Sequence, residues 1–276
     1  MESESVVVDG VTVMFSPQDK GGVAAFLRKN GNYEAALGDF FKNALSSGDT
    51  VLDIGANIGF FSVFFSKWVG DTGRVLAFEP EPNNREFIRA NLSNNSRHNV
   101  TVFSTAVSDK AGETTFYVDP AFWGVHSLGR KNVANSAVEM QVETVALDEF
   151  LPAKLGKSER FVAKLDTQGA EPLIFKGGER MFRDRCKLLA FEYWPFGVKT
   201  MGFEPEDSIK MLYDLGFSLS TVPKKEKFKT FQMDDLIARL QAKNMGDMSS
   251  TNLVGLKAPA GTKFQYETFR DVLNGH

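Results

Sequence analysis

The stretch Val51-Leu52-Asp53-Ile54-Gly55-Ala56-Asn57-Ile58-Gly59 joins an apolar run, an acid and a glycine-spaced turn, and a second apolar run, Arg74 to Phe78, ends on Glu79. Glycines at a strand-to-helix turn let a ligand approach the backbone closely. A carboxylate about twenty residues further on accepts the hydroxyls of a ribose. The pattern is that of a nucleoside-binding half-site. The bland alternative is a sharp connection with no ligand. Acids at two strand ends argue against it, since a charge taken out of water is costly without a partner.

Which nucleoside binds decides the function. A dinucleotide site wants glycine at the first, third and sixth positions of the turn, where a pyrophosphate lies against bare backbone at a helix N-terminus. Those positions hold Gly55, Asn57 and Phe60, so two of the three fail. Asp53, just before the turn, would also repel pyrophosphate. The same carboxylate suits a ligand carrying an α-ammonium group and a sulfonium. Asp53, Gly55, Asn57 and Gly59 are therefore read as an S-adenosylmethionine turn, with Glu79 accepting both ribose hydroxyls. A nicotinamide-dependent oxidoreductase is the rival enzyme class. A cofactor-binding module without turnover is the rival outside enzymes.

Methyl transfer from a sulfonium is an in-line displacement, for which the protein supplies alignment and exclusion of water. A hydroxyl acceptor also loses a proton, usually to a carboxylate or imidazole within hydrogen-bond reach. Asp166 follows the apolar run Phe161 to Leu165, beside the expected position of the sulfonium. Three roles are open to it: base or acceptor contact, cofactor contact, and cap of the turn into Gly169. A contact that stabilises the sulfonium only in the ground state would not speed the reaction. His126 lies with Trp123 and Ser127 in a Gly/Asn/Ser-rich segment and is a second catalytic candidate. The commoner case is a surface histidine in a loop. Glu192, ending a further apolar run at the same edge, is a candidate for binding the acceptor. Glu171 is read as a helix N-terminal acid or a partner of Lys164. Acids and histidines are too scattered for a metal-ligand spacing, so no metal site is assigned.

Alternating strand and helix patterns must position these groups, as in a parallel sheet covered on both faces. The spacing predicts a strand-like lead over Val6 to Phe15 turning at Asp9-Gly10, then a helix over Tyr33 to Leu45. Core strands follow at Thr50–Ile54, Arg74–Phe78, Val100–Thr105, Phe161–Leu165 and Leu188–Tyr193, with helices from Gly59, Glu81, Gly169 and Glu206. Ser218 to Val222 and Thr251 to Lys257 read as the last strands, and Pro223 to Ser250 as basic, then amphipathic. The rhythm breaks over residues 110–158, where two alternating pieces, Glu113–Val118 and Val138–Val145, flank the segment with His126. An insertion after a parallel strand lies at the ligand-binding edge of the sheet, so it is read as a substrate cover.

Bulk properties bound the function. A chain of 276 residues fits one large α/β domain with additions, and a net charge of −3 gives no footprint for nucleic acid. Met1-Glu2-Ser3-Glu4-Ser5 is acidic and polar, unlike a signal or transit peptide. The most apolar stretch, Ile58 to Val69, is too short for a membrane span and carries Ser62, Ser66 and Lys67. The single cysteine, Cys186, rules out an internal disulfide framework and suits a reducing compartment, so a cytoplasmic location is expected. The 25 phenylalanines are read as core filling.

Taken together, Tyr33-Glu34, the Asp53-to-Gly59 turn, Phe78-Glu79-Pro80, Ala106-Val107-Ser108-Asp109, Lys164-Leu165-Asp166-Thr167-Gln168-Gly169-Ala170-Glu171 and Phe191-Glu192 resemble the FkbM family of methyltransferases. The resemblance covers about residues 33–257, with residues 1–32 as a lead segment and 258–276 as a C-terminal tail. The turn together with the Lys164-to-Glu171 block is the specific part. The resemblance implies a class I, Rossmann-like fold: a mostly parallel seven-stranded sheet with helices on both faces and a β-rich insertion after the third strand. It implies S-adenosylmethionine as methyl donor and usually an O-methyl product on a small molecule or sugar. Carried onto this chain, the cofactor contacts are Glu34, Asp53, Gly55, Ala56, Asn57, Gly59, Glu79, Pro80, Ala106, Val107 and Asp166. The family often has a serine where Ser127 falls, which makes it a candidate acceptor contact. Gln168 departs from the family, which commonly has Glu there.

Overall fold

The computed structural model describes residues 2–223, 227–243, 246, 249–265 and 269. The chain opens with a hairpin, β1 (Glu4–Val8) and β2 (Val11–Phe15). Asp9 and Gly10 both take positive φ at its turn, which matches the twist of the paired strands. Helices α1 (Gly22–Asn30) and α2 (Ala35–Ala44) follow. Then β3 (Thr50–Ile54), α3 (Phe60–Val69), β4 (Arg74–Phe78), α4 (Pro82–Asn94) and β5 (Val100–Phe103) alternate. An excursion of β6 (Ala106–Val107), β7 (Gly112–Val118) and β8 (Val138–Val145) leads through α5 (Leu147–Phe150) to β9 (Phe161–Leu165). Next come α6 (Glu171–Gly177), α7 (Glu179–Asp184), β10 (Cys186–Tyr193), α8 (Pro195–Thr200), α9 (Asp207–Asp214) and β11 (Ser218–Thr221). The chain continues through β12 (Lys227–Lys229), α10 (Met233–Ala242), β13 (Thr251–Leu256) and β14 (Lys263–Gln265).

Seven strands form the central sheet in the order β11-β13-β10-β9-β3-β4-β5. β13 runs antiparallel to both its neighbours, and the remaining pairings are parallel. Strands of such a sheet bury both faces, so they read as continuous apolar runs. Val51 joins Phe41, Phe61, Phe65 and Ile88 on one face, while Leu52 and Ile54 join Phe175, Phe182, Ile209 and Leu236 on the other.

α3 buries all but Lys67 and Trp68 of its residues, which requires cover on its far side as well. The lead hairpin and α2 contribute Val11, Val13, Phe15, Phe40 and Phe41 to that layer. One asparagine of α4 and the asparagine that caps its C-terminus clasp the hairpin. Asn91 exchanges hydrogen bonds with Met14 N (2.6 Å) and O (3.0 Å), and Asn95 does the same with Thr12 N (2.9 Å) and O (2.7 Å). Their amides imitate a neighbouring strand for β2.

Several boundaries differ from the pattern. The strand expected over Val100 to Thr105 stops at Phe103, because Ala106-Val107 leaves the sheet and pairs in parallel with Thr144-Val145. The helix expected from Tyr33 begins at Ala35, since Glu34 takes a left-handed backbone (φ +43°). α1 and α8 are short and carry no long apolar period, so neither was legible. The glycine pair Gly177-Gly178, which the sequence marks as an interruption of the helix over Gly169 to Arg180, does divide it into α6 and α7. Past residue 257, β14 pairs with β12, and Phe269 is buried against Phe40, Phe228 and Phe264. Of the basic stretch from Pro223, residues 224–226, 244–245 and 247–248 lie outside the described residues.

Candidate active site

β3 and β9 are neighbours whose following helices pack on opposite faces, which opens a crevice at their carboxyl ends. A cavity lies in it. Gly55, Ala56 and Asn57 line it at the end of β3, and Glu79, Pro80, Asn84, Thr105, Ala106 and Val107 on the β4 side. Lys164, Asp166 and Gln168 line it on the β9 side. Phe116, Trp123, His126 and Leu128 of the insertion, with Gly22, Val23 and Tyr33, complete the wall.

Gly55 sits where two strand ends converge. Its φ is +78°, and a Cβ there would lie 2.0 Å from the carbonyl oxygen of Asp166. Both Gly55 N and Ala56 N donate to Phe78 O, at 3.0 and 3.1 Å, which locks the turn to the end of β4. Only glycine combines that dihedral with that clearance.

Glu79 is buried one residue past β4. Its Oε2 accepts from Asn57 N at 2.8 Å and its Oε1 from Glu81 N at 2.9 Å, so each oxygen can accept one more hydrogen bond. Burial pushes this carboxyl up to about 7 against the pull of those two N–H groups. Around it, Asn57 Oδ1, Asn84 Oδ1 and Thr105 Oγ1 are buried and have no hydrogen-bond partner among the described residues. Buried polar atoms ordinarily find partners. This end of the cavity fits a ligand that offers several hydroxyl or amine protons.

Asp53 is a correction. It was expected against the ligand's ammonium group, yet it does not line the cavity. Lying inside β3, it points into the layer of α3, where Oδ2 accepts from Ser62 Oγ at 2.6 Å and Oδ1 lies 3.8 Å from Lys164 Nζ. Gly59 is likewise set back, with α3 starting from it and Ile88 packed 3.1 Å from where a Cβ would stand. Glu34 faces a second groove between α2, β11 and β13 and accepts from Asn252 Nδ2 at 2.6 Å. Burial, with the charge of Asp166 behind it, pushes Glu34 up to about 7.

Lys164 is the buried cation of the site. Its Nζ lies 3.4 Å from both Asp166 Oδ2 and Gly55 O, over the Phe61 ring. Burial alone would lower its pKa, but the carboxylates of Asp166, Asp53 and Glu34 override this and raise it. Glu171 does not pair with it; Glu171 Oε1 accepts from Thr167 N (2.9 Å) and Oγ1 (2.8 Å) at the start of α6.

Asp166 reaches the cavity with its side chain 19% exposed. Glu192 does not line the cavity; it is half-buried and accepts from Gln168 Nε2 at 2.9 Å. Burial, then the charge of Asp166, holds Glu192 well above the usual carboxylate range. His126 lines the cavity, and its Nδ1 accepts from Asp119 N at 3.1 Å, which leaves the proton of the neutral ring on Nε2. Burial lowers its pKa to about 4, against Asp119. Such a ring is a hydrogen-bond donor into the cavity and a poor base at neutral pH. Ser127 is fully buried and donates to Gln168 O at 3.0 Å, so it supports the loop and does not line the cavity.

Lys164, Gln168, Asn84, Thr105 and Tyr33 were not singled out as site residues from sequence. A usable signal was present for three of them: Asn84, Thr105 and Gln168 are polar residues within a few positions of a parallel strand's carboxyl end. Among the described residues, no group of three acids, cysteines or histidines is placed to hold a metal ion, and no helix is long and apolar enough to cross a membrane.

The raised carboxyls make stability depend on pH. Glu79, Glu34 and Glu192 hold protons in the fold that the unfolded chain releases near 4.3, so the folded state binds more protons between about 4.3 and 7. Stability therefore falls as pH rises through that window. His126 acts oppositely, but only below about 6.5. The ligand-free protein is expected to melt at a lower temperature at about pH 8 than at about pH 6.5, with a smaller gap in Glu79→Gln. A calorimetric scan at the two pH values checks this, and a higher midpoint at pH 8 would contradict it.

A search among curated proteins found no match. Among solved structures, the chain is similar to a putative rRNA methylase from Clostridium thermocellum, with TM-score 0.47, 13% identity, and coverage of 83% of this chain and 98% of that one. It is also similar to an O-methyltransferase from Bacillus cereus in complex with SAH, with TM-score 0.43, 13% identity, and coverage of 88% and 86%. An O-methyltransferase from Streptomyces achromogenes, in complex with SAM, has TM-score 0.43, 11% identity, and coverage of 82% and 81%. No residue role passes across at those values. The sequence profile described as the methyltransferase FkbM domain matches residues 53–219, from the turn under the cavity to the strand beyond Glu192. With more than half its length so matched, the chain belongs to the FkbM methyltransferase family, and its methyl donor is S-adenosylmethionine.

Proposed function

We propose that the protein methylates a hydroxyl of a small molecule or sugar, and that Asp166 takes or orients the hydroxyl proton. The observation that carries this is the pairing, in one cavity, of the acceptor-rich end at Glu79 with the Asp166 carboxylate on the opposite strand. When bound, the donor supplies an electrophilic methyl group on a sulfonium. Gly55, Ala56, Asn57, Glu79, Pro80, Ala106 and Val107 would hold it. Asp166 is anchored by Lys164 and would receive the acceptor proton as the oxygen attacks and the sulfur–methyl bond breaks. His126 would donate a hydrogen bond to the acceptor from Nε2. The insertion and Tyr33 would exclude water. A net charge of −3 supports an acceptor other than nucleic acid, and a single buried cysteine supports a cytosolic location.

Calorimetry with S-adenosylmethionine and with NAD tests the donor, and transfer of labelled methyl from the donor to a small-molecule extract tests the reaction. Binding of NAD alone would overturn the reading. Glu79→Ala removes two charge-assisted hydrogen bonds of about 1.5–3 kcal/mol each. Donor affinity is expected to fall at least about tenfold in a folded variant. Unchanged affinity would strip Glu79 of this role. Because ribose hydroxyls favour the ionised carboxylate, donor affinity should rise with pH through about 7, opposite to the trend in stability.

A further inference from the structure

Gln168 lies two residues past Asp166, on the turn from β9 into α6, with a left-handed backbone of φ +55°. A non-glycine residue keeps that conformation only where its surroundings impose it. Here the insertion imposes it: the carbonyl of Gln168 accepts from Ser127 Oγ at 3.0 Å and from Asn132 Nδ2 at 2.8 Å. The side chain then spans two carboxylates. Its Nε2 donates to Asp166 Oδ1 at 2.9 Å and to Glu192 Oε2 at 2.9 Å. An amide nitrogen has two protons, and both are committed.

We propose that Gln168 is the positioning residue of the transfer site, whose amide clamps Asp166 at the cavity and ties it to Glu192 at the end of β10. The proposal rests on the reading of Asp166 as the acceptor-facing carboxylate. Two anchors define the plane of a carboxylate where one does not. Lys164 holds Oδ2 at 3.4 Å from the strand side, and Gln168 holds Oδ1 from the turn side. Without the second anchor, the carboxylate is free to rotate onto the ammonium and away from the acceptor.

The choice of a neutral donor follows from the local charges. Facing Asp166 are Lys164 on β9, Asp53 on β3, Glu34 ahead of α2, Glu192 on β10, Glu171 on α6 and the Tyr33 hydroxyl. One ammonium already serves several carboxyls. A glutamate at position 168 would repel Asp166 when ionised and, when protonated, could offer only one proton to the two carboxyls. An amide donates twice and adds no charge.

Two measurements on the full chain test the clamp. In a ¹⁵N NMR spectrum, both Gln168 side-chain amide protons should appear downfield of solvent-exposed amides and exchange slowly. Asp166→Ala should move one of them and Glu192→Ala the other. Free-amide positions for both would overturn the proposal without any acceptor being known. In the labelled-methyl assay, Gln168→Glu keeps the shape but cannot donate to Asp166 and Glu192 at once. Turnover should fall at least about tenfold while calorimetric donor affinity is not weakened. A side chain that merely filled space would be rescued by this isostere. Glu192→Ala should lower turnover too, and Glu192→Gln, whose amide oxygen still accepts, should recover most of that loss. Normal turnover in Gln168→Glu would refute the clamp. If Asp166→Asn itself turned over normally while the amide signals stood as expected, the role of Asp166 would fall and the bridge would remain.

Discussion

Gly55→Val is expected to abolish S-adenosylmethionine binding. Any side chain at this position starts with a Cβ 2.0 Å from the Asp166 carbonyl oxygen, less than any real contact allows, and 3.4 Å from Thr167 Cγ2. The atom it meets is backbone at the end of a central strand, so it cannot rotate aside. The φ of +78° adds a cost of about 1–2 kcal/mol for a residue with a Cβ, and more for a β-branched one. Relief requires β3 and β9 to part at their carboxyl ends, which moves the turn away from Glu79 and Asp166 away from the cavity. Affinity should drop by at least about 10²-fold, with a lower melting midpoint. Circular dichroism shows whether the sheet survives, and calorimetry reads the donor. Wild-type affinity in a folded Gly55→Val would reduce the turn to a connector.

Asp166→Asn should cost on the order of 10²–10⁴ in turnover. The asparagine keeps the shape and one oxygen, which can accept from Lys164 or from Gln168, but it cannot take a proton. Donor affinity should change little, because Glu79 and the two N–H groups that hold it are untouched by the change. If the carboxylate instead serves the donor, affinity falls first and turnover at saturating donor recovers. Measuring both quantities on this variant separates the two readings, and normal values of both would reject each of them.

Much of this arrangement is written locally. An apolar run that buries both faces, a glycine-bearing turn and an amphipathic or apolar helix repeat with spacings that specify a parallel sheet wherever they occur. That is why β3, β4 and β9 stand at the boundaries read from pattern, while β7 and β8, an antiparallel pair outside that sheet, are read within a residue from their alternation alone. The carboxyl edge, and so the neighbourhood of Gly55, Glu79 and Asp166, follows from the order of those elements.

The partner of each acid was decided only by tertiary packing. Asp53 and Glu79 look alike in sequence, as acids at the ends of adjacent parallel strands. Asp53 is still inside its strand, so the pleat sends it into the α3 layer toward Ser62 and Lys164. Glu79 lies one residue beyond its strand, so it reaches across to Asn57 N. The same distinction governs Glu192, still within β10, half-buried and held by Gln168 Nε2, and Asp166, just past β9 and lining the cavity. Periodicity says that a side chain lies at an edge. Which side of the edge it takes depends on the residue at which pairing stops, and that is settled by hydrogen bonds to strands distant in sequence.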